Sequence, residues 1–314
     1  MRIVFLGTPK FGQIVLEYLV NSKHQIDAVV CQPDKPNARG NKMVECEVKT
    51  YAKSKSIPVY QFDSIKKEGV ETLKQLNPDV IVTAAYGQLL SKEILDIAKY
   101  GVINVHGSIL PKYRGASPIQ YALLKGETET GVTIMKTDVG MDDGDILLIE
   151  KCEILESDNT ETLSNKLANL GGKALVDALK LIENDKAVFV PQNHEEATFT
   201  KMLEKKKSYI KFELSARRCL NKIRAYNPNP VAKMVIDDVE FKVFSAKVVK
   251  TDLQAKNGEV IEASSKKGLI IKCAEDALEI VELSAPNGKR MLAKAYLNGK
   301  TIEIGRVANE NIRK

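Results

Sequence analysis

Tryptophan is absent from this chain of 314 residues, and histidine occurs only three times. Cysteine is also scarce, and its five positions show no C-x-x-C pair and no histidine at metal-ligand spacing. An odd, dispersed set argues against a disulfide framework and a zinc site, and it fits a reducing compartment. We therefore expect no metal. The cysteines are Cys31, Cys46, Cys152, Cys219 and Cys273.

Long apolar runs are missing as well. No stretch approaches the ~18 apolar residues that a membrane span needs, and the apolar start MRIVFL is interrupted by Gly7-Thr8-Pro9. That run is too short for a secretory signal peptide. We therefore expect a cytoplasmic protein, whose length suggests two domains, with one still possible.

The glycine pattern of a dinucleotide site is also missing. The turn after the first predicted strand reads Gly7-Thr8-Pro9-Lys10-Phe11-Gly12, without G-x-G-x-x-G spacing. No acidic residue stands where the second predicted strand ends, at Cys31. A dehydrogenase that uses a nicotinamide cofactor is therefore disfavoured, and the glycines favour a tight strand-to-helix turn.

Positive charge is unevenly distributed. The chain carries a net charge of +6, but residues 205–314 hold 17 Lys and 6 Arg against 13 acidic residues. The preceding residues are mildly acidic. A basic second part indicates either a surface that meets a polyanion or a merely lysine-rich domain, and charge alone does not separate the two.

The first part of the chain alternates between apolar strands and amphipathic helices, which predicts a Rossmann-like α/β domain with a mostly parallel sheet covered on both faces. Helices are predicted near 117–125 and over 160–183. The predicted strands are Arg2–Leu6, Ile26–Cys31, Asp79–Thr83, Val102–His106, Val132–Met135 and Ile146–Ile149.

The pattern changes near residue 189. Residues 190–207 are polar and end in a lysine run, which is typical of a linker. A basic helix follows, and the remainder shows short alternating runs with turns such as Asn257-Gly258 and Asn298-Gly299. We expect a catalytic domain over 1–189, a linker over 190–207, and a small OB-like β-barrel over 208–314.

The segment INVHGSILP (103–111) brings a histidine and an amide together. Strand side chains alternate, so Asn104 and His106 point to the same face near the carboxyl end of a strand. Open parallel sheets bind ligands at that end. The alternative is a histidine that is merely held by a backbone carbonyl in a turn.

A second candidate segment is the acidic loop DVGMDDGD (138–145). It lacks the spacing of an EF-hand and the terminal Glu, so calcium is disfavoured. A carboxylate from this loop could instead reach His106 and orient its ring. Asn, His and Asp without a nucleophilic Ser or Cys indicate acid–base and oxyanion chemistry, not a covalent relay.

The run INVHGSILPKYRGASPIQYALLKGETETGVTIMKTDVGMDDGDIL closely resembles the signature region of the formyltransferases that depend on 10-formyltetrahydrofolate. The early loop CQPDKPNARGNK and the basic C-terminal part resemble those members whose acceptor is methionyl initiator tRNA. The resemblance implies the co-substrate 10-formyltetrahydrofolate, the catalytic set Asn104, His106 and Asp142, and no metal. It also implies folate contacts, largely through backbone groups, at Ser108, Ile109, Leu110, Pro111, Tyr86, Gly87, Gln88, Leu89, Asp138 and Gly140.

The resemblance further implies that a loop with Arg39 and Lys42 reads the acceptor end of the tRNA. Phosphate contacts are expected from basic residues of the linker and of the following helix, although each could equally be a solvated surface charge. We expect a monomer. The residues of the basic set are Lys205, Lys206, Lys207, Arg217, Arg218, Lys222 and Arg224.

Two segments depart from the family pattern. Members commonly carry Ile-Asp-Trp where this chain has Ile210-Lys211-Phe212, and a Trp within the region that here reads Asn227-Pro228-Asn229-Pro230. Alternative functions are formyl transfer to a small amine, such as glycinamide ribonucleotide or a UDP-amino sugar, and folate or RNA binding without catalysis.

Overall fold

The computed structural model describes residues 1–36 and 43–310, so the predicted tRNA contacts Arg39 and Lys42 lie outside the described residues. The chain divides into two compact units. Unit 1 comprises Met1–Pro118, Glu129–Glu153 and Ser164–Lys201, and unit 2 comprises Ile119–Thr128, Ile154–Leu163 and Met202–Lys314. Residues 190–201 of the predicted linker therefore belong to unit 1. None of the described helices is long and apolar enough to cross a membrane.

Eleven strands lie in the described part of unit 1. They are β1 (Arg2–Gly7), β2 (Gln25–Cys31), β3 (Lys35–Pro36), β4 (Met43–Val44), β5 (Val59–Gln61), β6 (Val80–Ala84), β7 (Val102–His106), β8 (Arg114–Gly115), β9 (Glu129–Lys136), β10 (Ile146–Glu153) and β11 (Phe199–Thr200). Seven of them form one sheet in the order β10-β9-β7-β6-β1-β2-β5. The short strands pair separately, β3 with β4 and β8 with β11.

The large sheet is mostly parallel. Strands β5, β2, β1, β6 and β7 pair in parallel, whereas β9 pairs antiparallel with β7 and β10 antiparallel with β9. The predicted Rossmann-like α/β class is thus confirmed. Strand β5 was not predicted, because its three half-buried residues are too few to give an alternation signal. The carboxyl ends of β6 and β7 lie side by side, where such sheets bind ligands.

Eight α-helices are described in the chain: α1 (Lys10–Val20), α2 (Glu47–Ser54), α3 (Val70–Leu76), α4 (Lys92–Leu95), α5 (Pro118–Lys125), α6 (Thr160–Glu183), α7 (Ala216–Tyr226) and α8 (Ala293–Gly299). Helix α1 shows why they form. Its apolar residues Phe11, Val15, Leu16 and Leu19 recur at helical spacing, and all four are buried. This stripe packs the helix onto the sheet and covers the strand that precedes it.

Unit 2 contains the predicted barrel. Its strands are β12 (Ala232–Ile236), β13 (Val239–Val249), β14 (Val260–Ser264), β15 (Gly268–Lys272), β16 (Ala277–Ser284) and β17 (Met291–Leu292). They pair antiparallel in the order β12-β13-β16-β15-β14, and β17 pairs with β16. The C-terminal residues close the sheet, because Asn309 bridges to Val235 of β12 while Val307 bridges to Glu259 beside β14. Closure satisfies the edge strands that an open sheet would expose.

The segment that departs from the family pattern is part of the core of unit 2. Ile210 and Phe212 are 1% and 2% exposed. Phe212 therefore fills a position in the core of unit 2. Nearby in the same unit, the free thiols of Cys219 and Cys273 are buried with their Sγ atoms 4.0 Å apart.

Candidate functional site

The candidate site begins at the carboxyl end of β7. Asn104 lies opposite Thr83 of the parallel strand β6, and His106 lies opposite Thr133 of the antiparallel strand β9. His106 is buried and Asn104 is partly exposed. Strand alternation therefore places both side chains on one face, as the sequence predicted.

The His106 ring is held at one nitrogen by the backbone. Its Nε2 lies 3.0 Å from the carbonyl oxygen of Tyr113, and its Nδ1 lies 3.7 Å from Oδ2 of Asp142. A carbonyl oxygen can only accept, so Nε2 carries the proton of this hydrogen bond. The turn interaction considered from sequence is therefore present, and it coexists with a carboxylate at the second nitrogen.

Asn104 is oriented by a side chain that the sequence did not single out. The Oγ1 of Thr83, a buried hydroxyl on β6, donates to Oδ1 of Asn104 at 2.8 Å. This contact uses the acceptor end of the amide, so its Nδ2 is the donor end that faces away from Thr83. In the sequence, Thr83 is simply the last residue of a predicted strand. That position does not distinguish a functional residue from a core residue.

Asp142 is fixed by the chain around β8. Its Oδ2 accepts a hydrogen bond of 2.7 Å from the amide of Gly115, and its backbone lies in the left-handed region with φ of 50°. Asp tolerates that region better than most residues. At Gly115 a Cβ atom would come within 2.5 Å of the carbonyl oxygen of Thr200, so glycine permits the close approach of β11.

The rest of the acidic loop is arranged around its glycines. Asp143 packs against Gly140, where a Cβ atom would lie 1.8 Å from Oδ2 of Asp143. The Oδ1 of Asp143 is buried and has no hydrogen-bond partner among the described residues. Asp138 is exposed, and its Oδ1 accepts from the amide of Val139 at 2.7 Å. Among the carboxylates described in this loop, Asp142 is the one that lies beside His106.

The segment after His106 turns back along β9. Thr133, which is fully buried, donates to the carbonyl oxygen of Ser108 at 2.7 Å and accepts from the amide of Leu110 at 3.1 Å. The Ser108 hydroxyl donates to the carbonyl oxygen of Lys112. Ile109 and Pro111 remain partly exposed. The Ser108 hydroxyl, the Ser108 carbonyl oxygen and the Leu110 amide are therefore already hydrogen-bonded within the protein.

The loop after β6 holds the second predicted folate segment. The Tyr86 side chain is buried in the core, where burial raises the pKa of its hydroxyl, and its carbonyl oxygen accepts from Thr8 and Gln32. The Gln88 side chain accepts from the amide of Ile65 and donates to a backbone carbonyl. Gly87 has a φ of 85°. A ligand at this loop would therefore meet backbone groups rather than these side chains.

Apolar side chains stand exposed on the same loops. Leu89 is 72% exposed, Val139 64% and Met141 52%. Large apolar side chains that protrude from loops are typical of a surface that covers an apolar or aromatic ligand.

The described residues contain no group of three or more His, Cys, Asp or Glu that could hold a metal ion.

The polar segment after α6 supplies residues that the sequence pattern missed. Gln192 is 5% exposed and lies between the guanidinium of Arg114 and the backbone of the acidic loop. His194, which is exposed, lies with its Nδ1 3.3 Å from the same guanidinium. The segment shows no periodicity, so its pattern predicts only a linker.

The predicted basic residues of unit 2 fall into two groups. Lys205 and Arg218 are exposed, and Lys206 and Lys207 are exposed but form ion pairs with Glu204. Arg217 is paired with Glu156. By contrast, Lys222 is partly buried, donates to the carbonyl oxygen of Tyr209, and burial lowers its pKa.

Arg224 is also committed to its own unit. Its Nε donates to the carbonyl oxygen of Asp158 and its Nη2 to that of Leu155, both at 2.6 Å. The side chain is partly buried by these contacts. The exposed members of the basic set are therefore the ones that a phosphate could reach.

Comparisons with known proteins identify two family models in the chain. The model described as formyl transferase matches residues 1–179, and that described as formyl transferase, C-terminal domain, matches residues 202–301. The methionyl-tRNA formyltransferase of a Sulfurihydrogenibium species is 41% identical over 307 residues, covering 97% of this chain and 99% of that protein. That of Clostridioides difficile is 42% identical over 308 residues, covering 98% and 99%.

Among solved structures, the N-formyltransferase from Helicobacter canadensis, in complex with folinic acid and dTDP-3-aminofucose, has the same fold. Its TM-score is 0.67 at 18% identity, and the match covers 92% of this chain and 99% of that one. The family predicted from the sequence is confirmed by the model matches and by the full-length relatives. The chain belongs to the formyl transferase family, among the methionyl-tRNA formyltransferases.

Proposed function

We propose that this chain transfers the formyl group of 10-formyltetrahydrofolate to the α-amine of methionyl initiator tRNA. The observation that carries the proposal is the group at the end of β7, where Asn104, His106 and Asp142 each have a defined partner. Full-length relatives named methionyl-tRNA formyltransferases support the acceptor. The product would be the formylated tRNA that begins translation.

The difficult step in such a transfer is the charge that develops on oxygen. The α-amine attacks the formyl carbon, and negative charge grows on the formyl oxygen before N10 of the folate leaves. Asn104 is suited to stabilise that oxygen, because Thr83 holds its Oδ1 and presents Nδ2 as the donor. Removing one such donor typically costs ~10²–10³ in rate.

His106 is suited to hold a proton at Nδ1. Because Nε2 is committed to the Tyr113 carbonyl, a change of protonation takes place at the nitrogen that faces Asp142. The Asp142 carboxylate lies 3.7 Å from Nδ1, and a water that bridges the two would let a proton pass. Proton transfer by a positioned side chain contributes ~10²–10⁴ in rate.

The folate site is proposed on the loops that flank this group. The backbone of the 108–111 turn and of 86–89 would supply polar groups, while Leu89, Val139 and Met141 offer apolar cover. A pterin ring needs both, since its edge is a row of donors and acceptors and its faces are apolar. Asp138 and Gly140 lie in the same acidic loop as Asp142.

The tRNA contacts are proposed on Arg39 and Lys42 and on the exposed basic residues of unit 2. Lys205, Lys206, Lys207, Arg217 and Arg218 are available to phosphates, which Lys222 and Arg224 are less free to meet. We further propose that the enzyme acts in the cytoplasm as a monomer. Its first domain would be catalytic and its C-terminal barrel would bind tRNA.

The test is formyl transfer from 10-formyltetrahydrofolate to methionine-charged initiator tRNA, with elongator methionyl-tRNA, glycinamide ribonucleotide and a UDP-amino sugar in parallel. We expect formylation confined to the initiator tRNA, which is lost in His106→Ala and kept in the matched variant His24→Ala. Transfer confined to a small amine would overturn the acceptor. Folate binding without formyl transfer to any acceptor would overturn the proposed enzymatic activity.

A further inference from the structure

Gln192 is a buried amide whose four hydrogen-bonding positions are all used. Its Oε1 accepts from Nε and Nη2 of Arg114 at 3.1 and 2.7 Å. Its Nε2 donates to the carbonyl oxygens of Asp142 and Gly144 at 2.9 and 2.7 Å. With two acceptor and two donor contacts, the orientation of the amide is fixed, because a flipped amide would lose all four bonds.

The hydrogen bonds of Gln192 form a bridge between Arg114 and the acidic loop. Arg114, at one end of this bridge, lies in the segment that contacts both His106 and Asp142. The preceding residue, Tyr113, accepts from His106 Nε2, and the following residue, Gly115, donates to Asp142 Oδ2. Arg114 itself is 4% exposed, and its backbone pairs with β11. Any shift of this strand therefore moves the partners of both His106 and Asp142.

The other side of the bridge belongs to the acidic loop. Gln192 binds the carbonyl of Asp142 itself and that of Gly144, two residues further on. The Asp142 carboxylate is thus fixed twice, at Oδ2 by Gly115 and at its own backbone by Gln192. Hydrogen bonds to a charged donor such as Arg114 are stronger than those between neutral groups, which stiffens the bridge.

We propose that Gln192 is a positioning residue for the transfer reaction. It ties Arg114 of β8, whose neighbour Tyr113 contacts His106, to the loop that carries Asp142, and so keeps the carboxylate at its distance from Nδ1. The inference rests on the proposed function and adds to it a residue outside the Asn104, His106 and Asp142 set. Small misplacements of reacting groups cost up to ~10² in rate.

The decisive variant is Gln192→Glu. A glutamate keeps the size of the side chain and the contact with Arg114, but its carboxylate cannot donate to the two carbonyl oxygens. We expect kcat for formyl transfer to fall at least ~10-fold, with little change in KM for folate or tRNA. Gln192→Met, which removes both halves of the bridge, should also lower kcat.

A double-mutant cycle with Asp142→Asn separates positioning from general damage. If Gln192 acts through the carboxylate, Gln192→Glu should cost little once Asp142→Asn is present. The matched control is Asn227→Asp in unit 2, a buried amide whose Nδ2 donates to the carbonyl of Phe244 at 2.9 Å. It makes the same chemical change away from the site, so it should leave kcat unchanged.

An equal loss from Gln192→Glu in both backgrounds, or no loss in either, would overturn the inference. The parent enzyme separates this result from a failure of the proposed function. If the parent formylates a small amine instead of tRNA, the acceptor is wrong, and the same cycle is measured with that amine. If the parent transfers formyl to no acceptor, both proposals fail together.

Discussion

The end of β7 in unit 1 and the basic surface of unit 2 present their polar groups in different physical settings. At β7, Asn104 is hydrogen-bonded to the Thr83 hydroxyl and His106 to the Tyr113 carbonyl, and the surroundings are largely buried. On unit 2, Lys205 and Arg218 are exposed. Directional contacts in a buried site fix geometry, whereas exposed charges act through a screened field. One substitution should therefore matter far more in the first region than in the second.

The largest effect is expected for His106→Ala. The change removes the ring that we propose holds a proton at Nδ1, so kcat should fall by ~10²–10⁴. Binding of the folate should survive, which equilibrium dialysis would measure. If His106→Ala kept more than about a tenth of the activity, the contrast between the two regions would be lost.

Thr83→Val should have an intermediate effect. Valine has nearly the shape of threonine but cannot donate to Asn104 Oδ1, so the amide is free to rotate. A neutral hydrogen bond contributes about 1 kcal/mol, which predicts a roughly fivefold to tenfold loss of kcat. Thr83→Ser keeps the hydroxyl and should restore most of the rate. Equal losses in the two variants would indicate packing instead of orientation.

Two arginines on α7 offer a matched comparison within the basic surface. Arg224→Ala removes hydrogen bonds to two backbone carbonyls, so the free energy of unfolding should drop by about 1–3 kcal/mol. Arg218→Ala should change it by no more than about 0.5 kcal/mol, since Arg218 is exposed.

For Arg218→Ala the measurable loss is instead in tRNA affinity. The slope of log K against log salt should decrease by about 1 if the side chain neutralises one phosphate. Denaturant unfolding and tRNA binding at several salt concentrations together show whether each arginine stabilises the fold or contacts the tRNA. A large stability loss in Arg218→Ala, or an altered salt slope without any stability loss in Arg224→Ala, would reverse the assignment.

The smallest effect is expected for Glu204→Gln. Hydrogen bonds from Lys207 and Lys206 hold the pKa of Glu204 at about 2, so its charge is present throughout the neutral range. Its ion pairs are lost only as pH falls through that value, because the folded pKa lies below the unfolded one. Removing the charge frees both lysines, and tRNA binding should tighten about twofold at low salt. Weaker binding would mean that Glu204 itself contacts the partner.

Much of strand β7 could be predicted because its information is local. Alternation along five residues of β7 placed Asn104 and His106 on one face, and the strand–helix alternation predicted the mostly parallel sheet. The role of Asp142 came from the family resemblance. Thr83 and Gln192 could not be recognised from local pattern. Thr83 contacts a residue 21 positions away, and the partners of Gln192 are at least 48 positions away.

The sequence by itself determined the α/β class, the barrel, the family and the residues that end β7, because these follow from periodicity and from a long, specific motif. The tertiary structure decided which charges are available and which amides are fixed. It placed Gln192 of an irregular segment between Arg114 and the acidic loop, and it committed Arg224 to two carbonyls of its own unit. The physical reason is that a polar side chain acquires its role from the partners it meets on burial, and those partners are distant in sequence.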